Sequence, residues 1–447
     1  MAVSPYIQAG EANIEKFEVT SNYTGETVSL IGSNSFVAVS FYESLFDCTV
    51  RADAIYTDAG YAKIGAVSEG KSSSSGYNLT AGEKAEIKIM DAYGQRLYFE
   101  DEYHLRHRLQ NRQSDPRKTV IHSDFCSNEF LIDNHRVSRR AKTKFEGKPS
   151  DNIVILLKDV LKTPKDIKVD KSILNYNFLG YNEKVFYHCM NLCTKGVPET
   201  KPGVLAGFLF YEVCKDDYNN GGYNYRSIDK LFEQKPKRKY IHNETTGDVP
   251  GGYQKIINFK ENKTYNAEEA ILSGFLSSNY EESFDSYIKN YTVFPFNYAQ
   301  QFLESNNAGK DPVQIATDTK IQEDYTRLSS IFPSIGHIPT GRTWEAQQPY
   351  SKTDDSEFVK SDIIKQAENR INQLFSIQIT IIIPIDLGLH VGDLVECNFG
   401  EISPSDIQDL SRNKSGIYMI MDLCHRITKK DSYTSLKLCR DASIFKK

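Results

Sequence analysis

The residue types able to do chemistry in this sequence are few and scattered. His188, Cys189 and Cys193 lie close together, and imidazole with thiolate is a zinc-binding chemistry. A closed zinc site needs four ligands at characteristic spacings, and no second CxxC or HxxxH pair completes this set. On a helix the two thiols share the apolar face, where free cysteine packs as a small hydrophobe. His104 and His107 sit in Tyr103-His-Leu-Arg-His-Arg108 with no glutamate between them, so a metalloprotease pattern is missing and a polar surface after a strand is expected. Acidic neighbours such as Asp101 and Glu102 arise by chance among 59 Asp and Glu residues. Without a cleft they define no acid–base pair and no paired carboxylates for a saccharide groove. No GxSxG, Walker A or GxGxxG motif opens a helix after a strand. His425 is expected to hold a structural hydrogen bond within a strand. These residues therefore identify no catalytic set, no metal site and no cofactor site.

The totals agree with a soluble globular chain. Charged residues are 25% and hydrophobic residues 39% of the 447. Aromatic residues reach 12%, with 27 Tyr, 24 Phe and a single Trp, Trp344, a composition that leans towards strands or interfaces. The net charge of −5 gives no basic excess for gripping a nucleic-acid backbone, but it is compatible with a channel that lets DNA pass. Eight scattered cysteines make no disulfide framework, which points to reduced thiols and assembly in a cytosol. The start lacks the pattern of a secretory signal, and the longest apolar run, Ile379–Ile385, is too short to span a bilayer.

The elements that must position these residues follow from hydrophobic period. Short alternating runs at Phe36–Tyr42, Thr49–Tyr56, Glu86–Met90 and Gln95–Glu100 predict strands of a small barrel or sandwich. A flexible linker is read at Gly70–Gly76. Thr119–Asp124 is a strand expected to lead into a mixed segment. Ser150–Lys162 predicts an amphipathic helix capped by Ser150 or Asp151 and stopped by Pro164. Asn182–Lys195 predicts a second helix ending at Gly196. Val204–Val213 is apolar on both faces, which suggests a central strand. Lys235–Lys239 reads as a solvated basic loop. The segment 245–355 is polar and aromatic without a clear period. Ser356–Phe375 predicts a helix running into a strand at Ser376–Ile383. Strands follow at Val391–Cys397, Gly416–Met421 and Tyr433–Cys439.

Three carboxy-terminal runs carry a resemblance: Leu389-His-Val-Gly-Asp-Leu-Val-Glu-Cys397, then Lys414-Ser-Gly-Ile-Tyr-Met-Ile-Met-Asp-Leu-Cys-His-Arg-Ile-Thr428, then Ser432–Arg440. They resemble the closing barrel of central hub proteins from contractile phage tail baseplates, with their "hxGDxV", "SGxYxIxxxxHxI" and "YxTxLxLxRD" strands. Ala206–Glu212 followed by Tyr225–Phe232 is similar to the hub run "FxFYET…FxFRSIDxL". Phe41–Phe46, Leu79–Glu83 and the helix Asp151–Leu161 also fit. The motifs are structural, so they speak as a set.

The resemblance implies a mainly β, α+β fold: two similar small β-barrel tube domains with inserted mixed α/β domains. The expected division is 1–115 for the first barrel, 116–215 for a mixed α/β domain, 216–244 plus 370–447 for the second barrel, and 245–369 for an inserted polar and aromatic domain ending in a helix. It implies a homotrimeric ring joining a sixfold tail tube to a threefold central spike, with tail tube, spike and other baseplate proteins as partners. DNA meets it only in transit, and no membrane insertion is implied. The place would be the virion baseplate after assembly in the host cytoplasm. Structural and assembly candidates are Gly207, Phe208, Phe210, Tyr211, Arg226, Ser227, Asp229, Gly392, Asp393, Gly416, Tyr418, His425 and Arg440. The competing expectations are a peripheral baseplate or receptor-binding protein, and a cell-wall hydrolase fused to tail structure.

Overall fold

A computed structural model describes residues 11–31, 36–58, 62–64, 67–71, 79, 81–99, 103–115, 118–134, 144–173, 175–180, 183–199, 207–242, 249, 251–263, 280–285, 290–295, 308, 334–335, 367, 370–372, 374–375, 377–400, 414–428 and 431–441. The chain is mainly β, as the resemblance implies, and the helices among the described residues are short. The described residues form three hydrophobic cores.

The first β unit is amino-terminal. Strand Lys84–Asp91 buries Ala85, Ile87 and Ile89 and turns Lys84, Glu86 and Lys88 outward, the period-two pattern of a half-buried strand. It pairs antiparallel with Ala12–Thr20 and Arg96–Phe99. The ladder Phe36–Ser44, Arg51–Asp58, Lys118–Ser127, Tyr103–Asp115 forms the other wall. Phe17, Phe41, Phe99 and Phe125 fill the space between with edge-to-face contacts. The Lys118–Ser127 strand pairs on one side with Arg51–Asp58 and on the other with Tyr103–Asp115. A polar break at Asp115-Pro116 reads equally as a linker or a hairpin, and only pairing separates the two.

In the second β unit, Arg238–His242 lies parallel to Leu394–Phe399. The antiparallel order continues through Gly416–Thr428, Ser432–Arg440, Ile377–Pro384 and Asn258–Lys263. Gln254–Lys255 then pairs back onto Arg238–His242, so one bent segment bridges both ends of the order. The basic stretch at 235–239 is therefore partly strand, and three of its basic residues are paired with carboxylates. Lys237 meets Asp393 at 3.0 Å, Arg238 meets Asp386 at 2.8 Å and Lys239 meets Glu396 at 3.1 Å. Glu396 comes from the parallel strand, and Asp386 and Asp393 from the loop before it, partners that no local pattern reveals.

The third core is the mixed α/β part. Strand Gly222–Ser227 is parallel to Ile167–Val169 and antiparallel to Phe208–Val213. Among the described residues Phe208–Val213 is an edge strand of this sheet, against the central position expected. Its two faces are both buried because helices cover one and the second β unit covers the other. Burial on both faces and a central place are separate properties. Helix Pro149–Ile155 is shorter than the periodicity predicts and passes into a π turn at Leu156–Val160. Its cap position is Lys148, which makes no side-chain cap, in place of Ser150 or Asp151. Helix Val185–Cys193 is held at its start by Asp133, whose carboxylate accepts the Val185 amide at 2.6 Å. Most of the helix expected at 356–375, the linker residues 72–76 and most of 264–355 lie outside the described residues. No helix among the described residues is long and apolar enough to cross a membrane.

The two β units are spliced by one strand. Gly416–Thr428 pairs with Leu394–Cys397 through its first residues and with Ala38–Ser44 through Asp422–Thr428.

Candidate functional site: a charged junction between the three cores

The segment from Phe208 to Asp216 touches everything. Phe208 and Phe210 enter the third core, stacked on Tyr225 at 4.4 Å and Tyr223 at 5.6 Å. Leu209, Tyr211 and Val213 point the other way into the second β unit. Cys214 belongs to the first. Residues with opposite parity on one strand can serve two cores because successive side chains alternate faces.

Two buried ionic clusters sit on this segment. In one, the Lys165 ammonium lies 2.8 Å from Glu129 and 2.6 Å from Glu212. Glu212 also accepts the Val50 amide at 2.9 Å and the Ser127 hydroxyl at 2.8 Å, and Lys165 rests 4.5 Å over the Tyr103 ring. Burial pulls the Lys165 pKa down, but Glu212 and Glu129 more than offset this, so it ends above the ordinary lysine value. The cluster fastens the third core to the first β unit.

In the other cluster, His390 Nδ1 is 3.0 Å from Glu43 Oε1 and Nε2 is 3.1 Å from Asp216 Oδ2. Glu43 accepts the Cys214 amide at 2.8 Å and the Val391 amide at 3.2 Å. Burial alone would depress the His390 pKa, but Glu43 and Asp216 raise it to about 10, so the ring is an imidazolium. Burial acts on Glu43 in the opposite sense, and His390 prevails and holds it below the usual carboxylate range. The loop that carries His390 alternates its apolar residues between units. Ile385 and Leu387 enter the first core, while Leu389 and Val391 enter the second.

A third buried cation, Arg370, bridges Asp441 at 2.7 Å and Asp229 at 3.3 Å. On the outer sheet face an open groove of about 580 Å³ includes Tyr42, Asp53 and Asp124. Its Arg51 and Lys437 are paired with Asp47 and Asp422.

Most of the candidates read from sequence are buried, while Arg226, Asp393 and Gly416 are half-buried. Gly207 has φ +133° and accepts the Ile228 amide. Arg226 and the Ser227 amide meet Asp170 at 2.9 and 3.0 Å, and the Ser227 hydroxyl caps helix Ile228–Phe232. Asp229 holds Arg370. Gly392, at φ +84°, turns the chain against Tyr211, where a Cβ would sit 2.6 Å from the phenol oxygen. Asp393 accepts the His390 amide at 2.9 Å. Gly416 opens its strand at φ +140°. Tyr418 is buried under the Arg440 guanidinium, 4.7 Å away, and Arg440 donates to the Ser415 carbonyl. His425 Nδ1 lies 2.9 Å from the Thr434 hydroxyl, and burial pushes its pKa down to about 4, so it is neutral.

His188 packs against the Phe145 and Phe178 rings, and Cys189 and Cys193 are buried beside it. The eight cysteines are free thiols. Sequence reasoning missed Glu43, Glu129, Lys165, Glu212, Asp216, His390 and Arg370. The available signal was a lone charge in an apolar run, as with Glu212 between Tyr211 and Val213, because a buried charge demands a partner.

With this geometry in hand, known structures give the fold a context. The tail protein from Neisseria meningitidis MC58 has a TM-score of 0.50 and 11% identity over 95% of this chain and 96% of its own. The 43 kDa tail protein of prophage MuSo2 from Shewanella oneidensis has a TM-score of 0.51 and 9% identity over 96% of this chain and 98% of its own. No family model and no curated protein matches the sequence. The chain thus has the fold of phage tail proteins, and the likeness runs nearly end to end in both.

Proposed function

We propose that this chain is the central hub of a contractile phage tail baseplate, a structural protein without catalytic turnover. The observation that carries the proposal is the shared fold with two tail proteins along almost the whole chain. The hub motifs at 206–232, 389–397 and 414–440 support it independently. In this reading three copies close a ring, two barrel-like β units per copy supply pseudo-sixfold symmetry, and the ring joins the sixfold tube to a threefold spike around the DNA channel. The proposed division places 118–127 with the first β unit, 222–227 with the mixed α/β part, and 228–244 plus 370–447 as the second. A static joint needs rigid coupling between its parts, and the junction of buried charges supplies it. The chain acts in the virion tail after assembly in the host cytoplasm.

Native mass of the purified chain, alone and with a candidate central spike protein, tests the proposal. A threefold mass, alone or on adding the spike, is expected. A monomer indifferent to the spike would overturn it in favour of a peripheral or receptor-binding tail protein.

A further inference from the structure

The Glu43–His390–Asp216 cluster lies between the β units and not inside either. Glu43 ends the Phe36–Ser44 strand of the first unit. Asp216 is held to the same unit by pairing of Lys215–Asp216 with Leu97–Tyr98. His390 comes from the second unit's loop. The apolar contacts of that loop are non-directional and tolerate sliding. The charged contacts do not. Both ring nitrogens of His390 are engaged, both Glu43 oxygens are engaged, and Asp216 Oδ1 accepts the Tyr218 amide at 2.7 Å. A slide of about 1 Å would take these bonds out of range. Burying three charges stabilises little by itself; where such groups persist, their attested use is to specify one arrangement.

We infer that Glu43, Asp216 and His390 are positioning residues, a clasp that fixes the angle between the two β units and with it the curvature of the ring. The second half of this inference rests on the hub reading. In a closed ring the angle within one subunit repeats at every interface, so a small error in it prevents closure. The charged groups facing His390 are Glu43 from the first unit, Asp216 from the connecting segment, and Asp393 on its own loop. The neutral His425 ring, the Cys214 thiol and the Tyr211 phenol are further titratable neighbours of the cluster.

The test uses the full chain as wild type, Asp216→Asn, Glu43→Gln and the charge-preserving Asp216→Glu. Amide hydrogen exchange reports the clasp directly, because the Cys214 and Val391 amides donate to Glu43. In Asp216→Asn and Glu43→Gln, exchange at 214 and 386–393 should rise about tenfold or more while strands Ile377–Pro384 and Ser432–Arg440 stay protected. Solution scattering of the monomer should broaden, and the assembled fraction should fall. Asp216→Glu should recover part of each. Wild-type exchange and scattering in both neutralised variants would overturn the clasp. Normal assembly despite a loosened loop would overturn its role in ring curvature. A wild-type chain that never assembles would sink the hub reading while the exchange data still decided the clasp. Should the variants not fold, a wild-type acid titration serves instead. The loop must then loosen before the core strands, and simultaneous loss would overturn the inference.

Discussion

Lys165 is surrounded by two carboxylates that have almost no contact with water, so its removal strands both. Lys165→Met should cost about 3–5 kcal/mol, read from urea denaturation. Neutralising Glu129 and Glu212 as well should return much of that loss, since an unpaired buried charge is the expensive state. The His390 clasp gives a pH signature. Its histidine pKa of about 10 exceeds the ordinary 6.5, so its stabilisation is complete below about pH 6.5, declines as pH rises and is gone above about pH 10. Glu43 and Asp216 are depressed, so their contribution is present above the ordinary carboxylate values and is lost as pH falls through the depressed ones. Unfolding free energy measured against pH should therefore peak in the mildly acidic range. His390→Gln should flatten the alkaline decline, and an unchanged slope would remove His390 from the linkage.

At the scale of elements, the 208–216 segment and the 385–393 loop matter most, because each feeds two or more cores. Gly392 is the tightest point between them. Its left-handed backbone and the nearby Tyr211 hydroxyl leave no room for a side chain. Gly392→Ala should destabilise by about 1–3 kcal/mol in thermal melts. Pairing Gly392→Ala with Tyr211→Phe should recover part of that loss, because the phenol oxygen is the nearest obstacle. No recovery would assign the cost to the backbone alone.

For the whole molecule, three cores share the segment 208–216 and are bound by buried charge clusters. The described parts should therefore unfold together in wild type, with far-ultraviolet and near-ultraviolet signals coincident in urea. Two separated transitions would show that the junction is weaker than the cores it joins. Buried pairs are poorly screened, so the urea midpoint should move little between low and high salt. A large salt shift would mean that exposed pairs such as Lys144–Glu146 hold the structure together instead.

Much of the β framework was legible in the sequence. Alternation in Lys84–Asp91 or Ser432–Arg440 places strands and their buried faces, because side-chain direction in a strand depends only on the residue's own neighbours. The shared apolar face of Cys189 and Cys193 on a helix was legible for a similar local reason. What the tertiary structure alone decided is which surfaces meet. Glu43 and His390 are 347 residues apart, Glu43 and Cys214 are 171 apart, and no periodicity links them. The same holds for the edge place of Phe208–Val213, the strand pairing that draws Lys118–Ser127 into the first β unit, and the carboxylates that neutralise Lys237, Arg238 and Lys239. Local pattern sets which side of an element is apolar. Only long-range packing sets which partner covers it, and a buried charge takes its role from that partner.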